Sequence, residues 1–472
     1  MKLRKSLLLS LIMIFILALT CFSGCNLLKS NDNNGEDDKV TVVSIVKTQT
    51  NGLIDTYTIT YSDGSTFNFE ITNGKDGADG EDLDIDEVFE KYLELHPNAT
   101  YEEFLKAIIG TSEDVITLTI NKALQSMANI YVEFTETTGQ WPTATTDTAV
   151  ALGSAVVYKV DTDYTYFITN YHVLYSASAL ETNKLPKKIV CYLYGSEDGP
   201  ASTGTKDASG YSVYEYGPYA IDCEYVGGLL KSDIAVVKAP TSRVKQINPN
   251  VKAVTFADDY HVGDMAIAIG NPKGEGISVS QGIVSVDSEY IKLSIDGTSK
   301  SYRVMRIDAA LYHGSSGGGL FNKDGKLIGI TNAGDGDDQN INYAVPLSVV
   351  KNTVESIIYY NDNPKAITLG VKVAATNSRY VFDEQKGYGE IIETITVDEI
   401  ANGSISAKLG LQLGDVLVSM FINGNEYKIN RMFNIGDALL TIRNGDKISF
   451  KLIRNAQTMT SNEYTIFSSD LN

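Results

Sequence analysis

Four cysteines and four histidines in 472 residues are too few for the architectures that depend on them. Cysteine at this density does not staple a disulfide scaffold. His96, His172, His261 and His313 lie far apart, and none has zinc-ligand spacing. A dedicated metalloenzyme is therefore not expected, and no metal or cofactor is assigned. Basic residues are also short: 39 Lys+Arg against 59 Asp+Glu gives a net charge of −20. Nucleic-acid binding needs clustered Lys and Arg to displace counterions, so neither a nucleic-acid partner nor a polybasic membrane-surface role is expected. Apolar residues are plentiful. They make up 43% of the chain, with 21% charged, which supports packed cores in two to four domains.

The front of the chain reads as an export signal over residues 1–25. Lys2, Arg4 and Lys5 precede an apolar run from Leu7 to Leu19, and Phe22-Ser23-Gly24-Cys25 closes it with small residues before a cysteine. The pattern resembles a bacterial lipoprotein signal, which makes Cys25 the lipidated first residue of the mature chain. An uncleaved membrane anchor is the alternative. Both place the remainder outside the cytoplasm, tethered to a membrane through its front end.

Residues 26–39 are polar and acidic and read as a linker. Residues 40–110 read as a small α+β surface spacer. In it, Ile54 to Tyr61 and Thr66 to Thr72 alternate on either side of Asp63-Gly64, a hairpin signal. Two short helices are expected between Asp84 and Gly110. Gly74, Gly77 and Gly80 are too few for a collagen repeat. Asp82, Asp84 and Asp86 lack the glycine of a calcium loop, since Glu87 occupies that place. A helix is expected from Glu113 to Met127. Many short β-type runs follow to about residue 350, which suggests a mainly β pair of barrels rather than an α/β sheet. Asn361 to Lys365, with Pro364, reads as a hinge.

Three stretches in the β-rich region carry possible chemistry. Phe167-Ile-Thr-Asn-Tyr-His172-Val is a buried-strand pattern ending in a histidine. Lys231-Ser-Asp233-Ile-Ala-Val-Val237 puts an acid at the mouth of an apolar strand. Asp308-Ala-Ala-Leu-Tyr-His-Gly314-Ser-Ser316-Gly-Gly-Gly-Leu320 surrounds serine with glycine. Acyl transfer at neutral pH needs a hydroxyl activated by imidazole, a carboxylate that orients the imidazole, and N–H donors for the oxyanion. Each stretch alone has a structural explanation. The order His, Asp, Ser, at separations of 61 and 83 residues, makes them a constellation.

With these stretches, the sequence resembles the HtrA/Deg family of chymotrypsin-fold serine proteases from about Ile130 to the C-terminus. Gly153-Ser-Ala, Ala268-Ile-Gly-Asn-Pro272, Val279 to Ser285, Leu327-Ile-Gly-Ile330 and Asn342-Tyr-Ala-Val-Pro346 add to the match. The resemblance implies a double six-stranded β-barrel protease domain over 113–358. It makes His172 the general base, Asp233 its orienter and Ser316 the nucleophile. The amides of Gly314 and Ser316, with Ser315 nearby, would form the oxyanion hole. Around the nucleophile, Tyr312-His313 replaces the usual Asn-Pro, Ser315 replaces Asn, and Gly319 replaces Pro. His313 is read as a solvated loop residue. An apolar S1 pocket is expected from Ala310 and Leu311, faced by Ile341, Asn342 and Tyr343. Asp335, Asp337 and Asp338 are read as a solvated acidic loop.

Cys191 and Cys223 lie in strand-like runs joined by a polar insertion, either as a cross-strand disulfide or as two free thiols. Ser406-Ala-Lys-Leu-Gly-Leu411 through Gly424 resembles the PDZ signature of the family, which implies a PDZ domain over 366–468. In it Leu369-Gly370-Val371 would bind a peptide's C-terminal carboxylate. The insertion from Asn377 to Gly389 is longer than the family leads one to expect. The implied function is an extracytoplasmic endopeptidase acting on unfolded or misassembled proteins, with hydrophobic C-terminal peptides as ligands. The rival reading is a peptide-binding or chaperone module whose protease barrel is inactive or latent. A homotrimer is implied too, with Ile130-Tyr-Val-Glu-Phe134 supplying aromatic contacts.

Overall fold

A computed structural model describes residues 42–471 apart from 53, 73–84, 98, 101–103, 105–111, 141, 296, 298 and 335–339. The export signal with Cys25, the linker, the glycine triplets, Asp82 and Asp84 of the acidic run and the Asp335–Asp338 loop fall outside the described residues. Contacts divide the chain after Ser112.

The first unit contains strands β1 (Val42–Asn51), β2 (Ile54–Tyr61) and β3 (Thr66–Thr72), in the order β1-β2-β3, and helix α1 (Ile85–Leu95). The β2–β3 hairpin turns where expected. Gly64 has φ +83°, and Asp63 Oδ1 accepts from the Ser65 amide at 2.8 Å, an Asx turn. The preceding strand β1 was not anticipated: its alternation is interrupted by register shifts against β2.

The second unit begins one residue into α2 (Ser112–Leu124), and the chain then enters β4 (Met127–Thr138). Met127 is thus a strand residue, not the end of the expected helix. Gln125 and Ser126 donate to Lys122 and Ala123 carbonyls in a tightened last turn. The first barrel uses β4, β5 (Thr145–Val160), β6 (Tyr164–Thr169), β7 (Lys188–Leu193), β10 (Ile221–Asp222), β11 (Glu224–Leu229) and β12 (Ile234–Pro240). A separate hairpin, β8 (Ala201–Lys206) and β9 (Ser212–Glu215), occupies the insertion. The sheet order is β10-β7-β4-β5-β6-β12-β11. Its two edges are consecutive in the chain, separated only by Cys223. Counted as one bent strand, they complete six strands, and closure runs through the backbone at Cys223.

The second barrel is closed by hydrogen bonds through β13 (Met265–Gly270), β14 (Ser278–Ser294), β15 (Ser299–Ile307), β18 (Asn342–Pro346), β17 (Leu327–Gly334) and β16 (Gly319–Phe321). Continuous apolar runs mark strands buried on both faces, because successive side chains point to opposite sides. On β12, Ala235, Val237 and Ala239 fill the first barrel. Ile234 and Val236 meet Ile267, Ile269 and Phe321 between the barrels. On β13, Ala266 and Ala268 face the second barrel's interior. Each fully buried Ile or Val contributes about 1.5–3 kcal/mol relative to exposure. Helix α3 (Thr241–Ile247) follows β12, and helix α4 (Leu347–Tyr360) adds Val350, Val354 and Ile357 to the inter-barrel layer.

Two expectations are corrected here. Residues Ile130 to Phe134 lie on β4 between β5 and β7, and all five are buried within this chain. Tyr131 packs edge-on against Tyr192 at 5.9 Å, and the segment has no free face to offer a partner subunit. The hinge at Asn361 to Lys365 is pinned as well. Asn363 Oδ1 accepts from the Gly228 amide at 2.9 Å and from the Tyr225 hydroxyl at 2.8 Å.

The C-terminal sheet runs β19 (Val371–Asp383), β20 (Tyr388–Ile400), β21 (Val416–Ile422), β23 (Lys447–Arg454) and β24 (Gln457–Thr460). On it, β22 (Asn425–Lys428) pairs with β21 and β25 (Tyr464–Thr465) with β23. The 377–389 insertion lengthens the β19–β20 hairpin and leaves Tyr380 and Phe382 exposed. Helices α5 (Ile405–Lys408) and α6 (Phe433–Leu439) complete this part. No helix among the described residues is long and apolar enough to cross a membrane.

Helix α6 is tied to the second barrel. Asp437 takes an ion pair from Arg303 on β15 and a 2.7 Å hydrogen bond from Ser348, and Arg431 pairs with Asp287 at 2.9 Å. Arg303 and Asp437 are mostly buried, so Arg303→Ala strands a carboxylate with no cation. The expected cost is about 3–5 kcal/mol, read as a lower denaturant midpoint for the C-terminal sheet.

Candidate active site

His172 lies in a short 3-10 turn, Tyr171–Leu174, directly after β6, and Asp233 stands at the start of β12. Those strands are neighbours, with Ala235 opposite Thr169, so the two side chains meet across the sheet end. Asp233 has φ +54°, a left-handed conformation that aspartate tolerates better than most residues. Its carbonyl accepts from Asn170 Nδ2 at 2.9 Å, which fixes the turn. Asp233 is fully buried. Its Oδ1 accepts from the His172 amide at 2.8 Å, and its Oδ2 lies 2.7 Å from His172 Nδ1. Burial pulls the imidazole pKa down, but the Asp233 charge and hydrogen bond more than offset it. The net shift is upward from the ordinary histidine value.

Asn332 on β17 joins this pair to the serine. Its Nδ2 donates to Asp233 Oδ2 at 2.6 Å, while its backbone carbonyl accepts from Ser316 Oγ at 2.7 Å. No sequence motif singled it out, since asparagine on an apolar strand has many uses. The hydroxyl of Ser316 is thus turned to Asn332 in this structure. Ser315 is buried, and its Oγ accepts from the Tyr312 amide at 3.4 Å, so of the two serines it is the one turned into the loop.

The loop's peptide planes are set by their carbonyls. A trans peptide points its N–H opposite its C=O. The His313 carbonyl accepts from the Lys273 amide at 2.6 Å, which turns the Gly314 N–H the other way. The Ser315 carbonyl accepts from Thr331 Oγ1 at 2.6 Å and from the Gly318 amide at 3.0 Å, which does the same for Ser316 N–H. Among the described residues neither amide has an acceptor. The Ser315 amide is different: it donates to the Tyr312 carbonyl at 2.9 Å. It is therefore not available as the third donor expected from the sequence. Ser154, also unrecognised in this role, anchors the loop. Its Oγ donates to the Gly314 carbonyl and accepts from the Asn271 amide, each at 2.8 Å.

Glycine is required at 317. A Cβ there would lie 2.1 Å from the Ser154 carbonyl oxygen and 2.3 Å from Thr169 Oγ1, at φ +85°. Gly317→Ala is expected to destabilise the fold by about 2–5 kcal/mol, from left-handed strain plus overpacking. A thermal melt checks this.

Beside the loop, Ala310 and Leu311 line a cavity of about 210 Å³. Ala268, Gly270 and Val279 of β13 and β14 line it too, as do Pro272, Tyr312 and Ser315. Ile341, Asn342 and Tyr343 do not line this cavity. Asn342 and Tyr343 are held in β18 between β15 and β17, and Asn342 is buried there. His313 is exposed, as expected of a solvated loop residue.

The disulfide is not formed, and Cys191 and Cys223 are free thiols. Cys191 stands opposite Ile221, and the Cys223 amide donates to Ile189, so the two cysteines are a diagonal pair. Their thiols nonetheless lie within hydrogen-bonding reach of each other. The Cys191 sulfur and burial push the Cys223 thiol well above its ordinary pKa.

Leu369, Gly370 and Val371 line a groove of about 570 Å³ between the start of β19 and α6. The Leu369 carbonyl accepts from Ser406 and the Gly370 carbonyl from Ala401, each at 2.9 Å. The Gly370 N–H therefore faces away from Ser406 and has no acceptor among the described residues. Gly370 has φ +70°.

Two barrels with a histidine–carboxylate pair and a glycine-flanked serine at their junction define a trypsin-like serine protease. A family model described as a trypsin-like peptidase domain matches residues 153–330. The chain is 28% identical over 328 residues to the serine protease Do-like HtrA of Bacillus subtilis, covering 66% of this chain and 63% of that one. It is 30% identical over 322 residues to the periplasmic serine endoprotease DegP of Salmonella typhimurium, covering 66% of this chain and 56% of that one. The HtrA-type protease AlgW with tripeptide superposes with a TM-score of 0.47 at 25% identity, covering 76% of this chain and 97% of that one. The chain is thus similar to the HtrA/Deg-type trypsin-like serine proteases. It spans less than two thirds of the length of either curated relative.

Proposed function

We propose that this chain is an extracytoplasmic, membrane-tethered serine endopeptidase that cleaves unfolded or misassembled proteins through an acyl-enzyme. Ser316 is the nucleophile, His172 its general base and Asp233 the orienting carboxylate, with the Gly314 and Ser316 amides as the oxyanion hole. The carrying observation is the convergence on Asn332, which is hydrogen-bonded to Ser316 and to the His172-paired Asp233. Attack on a peptide carbonyl requires Ser316 Oγ to leave the Asn332 carbonyl for the imidazole. The two unengaged amides then meet the oxyanion, each contributing about 10²–10³ in rate. Apolar walls beside the loop favour small or medium apolar side chains at P1. The C-terminal sheet is read as a PDZ domain whose Leu369-Gly370-Val371 loop takes hydrophobic C-termini, and Cys25 as the point of lipid attachment.

The sign of the pH dependence follows from His172. Its raised value means that pairing with Asp233 stabilises the fold fully below about pH 6.5, and that this contribution is lost as pH rises through the folded-state pKa. Catalysis needs the neutral imidazole, so kcat/KM is expected to rise with pH through that same window. A pH–rate profile whose acid limb is centred below the ordinary histidine value contradicts the assignment.

A second reading, a peptide-binding module with a latent barrel, is favoured by one observation: Ser316 Oγ is turned onto the Asn332 carbonyl. The deciding experiment uses residues 113–472 on casein, with and without hydrophobic C-terminal peptides. Hydrolysis without added peptide supports the protease. Hydrolysis only with peptide supports a latent barrel released by ligand. Peptide binding with no hydrolysis in either condition leaves only the binding module.

A further inference from the structure

The groove beside Leu369-Gly370-Val371 is not built by the C-terminal sheet alone. One of its walls is Lys231, which belongs to the protease part. Lys231 lies in the tight turn between β11 and β12, where the Ser232 amide donates to Leu229 at 3.1 Å and the Asp233 amide to Leu230 at 3.2 Å. The residue is exposed, and it has no ion pair or hydrogen bond among the described residues. The groove's other lysine, Lys372, is already neutralised by Glu399 at 2.8 Å and Asp398 at 3.8 Å. Lys231 is thus the groove's unpaired cation. It borders the same space as the unengaged Gly370 amide and the apolar side chains of Ile435 and Leu439.

We propose that Lys231 is a ligand-binding residue of this groove, and that its ammonium pairs with the terminal carboxylate of a peptide ending in an apolar residue. The ligand is then held from two sides. Backbone amides and apolar side chains come from the C-terminal sheet, and the charge comes from the turn that ends two residues later in Asp233. An ammonium on a long flexible stem matches a carboxylate whose position varies with the peptide. The proposal rests on the reading of the groove as a C-terminal peptide site.

The test measures fluorescence anisotropy of a labelled decapeptide with an apolar last residue, once as the free acid and once as the C-terminal amide. The protein is the full chain in detergent carrying Ser316→Ala, which removes the proposed nucleophile so that the peptide survives. The free acid is expected to bind at least about ten-fold tighter than the amide. Lys231→Gln is expected to cut that ratio about five-fold by weakening only the acid, and Lys231→Arg to preserve it. An unchanged ratio in Lys231→Gln, with tight acid binding, overturns the role of Lys231 and leaves the groove reading standing. Failure of the parent to bind either peptide overturns both.

Discussion

Ser316→Ala is expected to lower casein hydrolysis by roughly 10⁴–10⁶-fold, leaving only what binding and the oxyanion hole supply. The substitution removes a half-buried hydroxyl whose single acceptor is the Asn332 carbonyl, so the thermal midpoint should barely move. The neighbouring serine separates nucleophile from loop. Ser315 is buried with its Oγ against the Tyr312 amide, and its own amide is tied to the Tyr312 carbonyl. Ser315→Ala is therefore expected to retain activity within about ten-fold, the loss coming through loop positioning. Kinetics on both variants, with melting curves, checks the pair. Loss of turnover only in Ser315→Ala contradicts the assignment.

Asp233→Asn is expected to reduce kcat on the order of 10⁴-fold with little change in KM. Asp233 Oδ2 faces two nitrogens, His172 Nδ1 at 2.7 Å and Asn332 Nδ2 at 2.6 Å. A carboxylate accepts from both, whereas an amide presenting its NH2 there can accept from neither. The imidazole then moves its proton to the other nitrogen, the one that must take the serine proton. Loss of the Asp233 charge also removes the influence that raises His172, so the acid limb of any residual activity should move to lower pH. An acid limb that stays in place while kcat falls would falsify the orienting role.

The chemistry was more legible than its support. His172, Asp233 and Ser316 could be found because a nucleophilic hydrolase needs those residue types and the flanking glycines leave a local pattern. The buried strands were legible for a related reason: β12 and β13 bury both faces, and their continuous apolar runs say so. Asn332 and Ser154 were not legible in their roles, because each acts through hydrogen bonds to residues distant in sequence or on another strand. Strand pairing, which no local pattern reports, carries Asn342 into a buried position in β18. Aromatic residues at 131 and 134 looked like an assembly surface, but the central place of β4 in its sheet consumes them.

The most direct measurement is to treat the folded chain with a fluorophosphonate, which phosphonylates only an activated serine, and to map the adduct by peptide mass spectrometry. A single adduct on Ser316, absent in His172→Ala, is the expected result. An adduct on Ser315, or none on Ser316 in folded protein with peptide present, contradicts the assignment of this site as a serine protease centre.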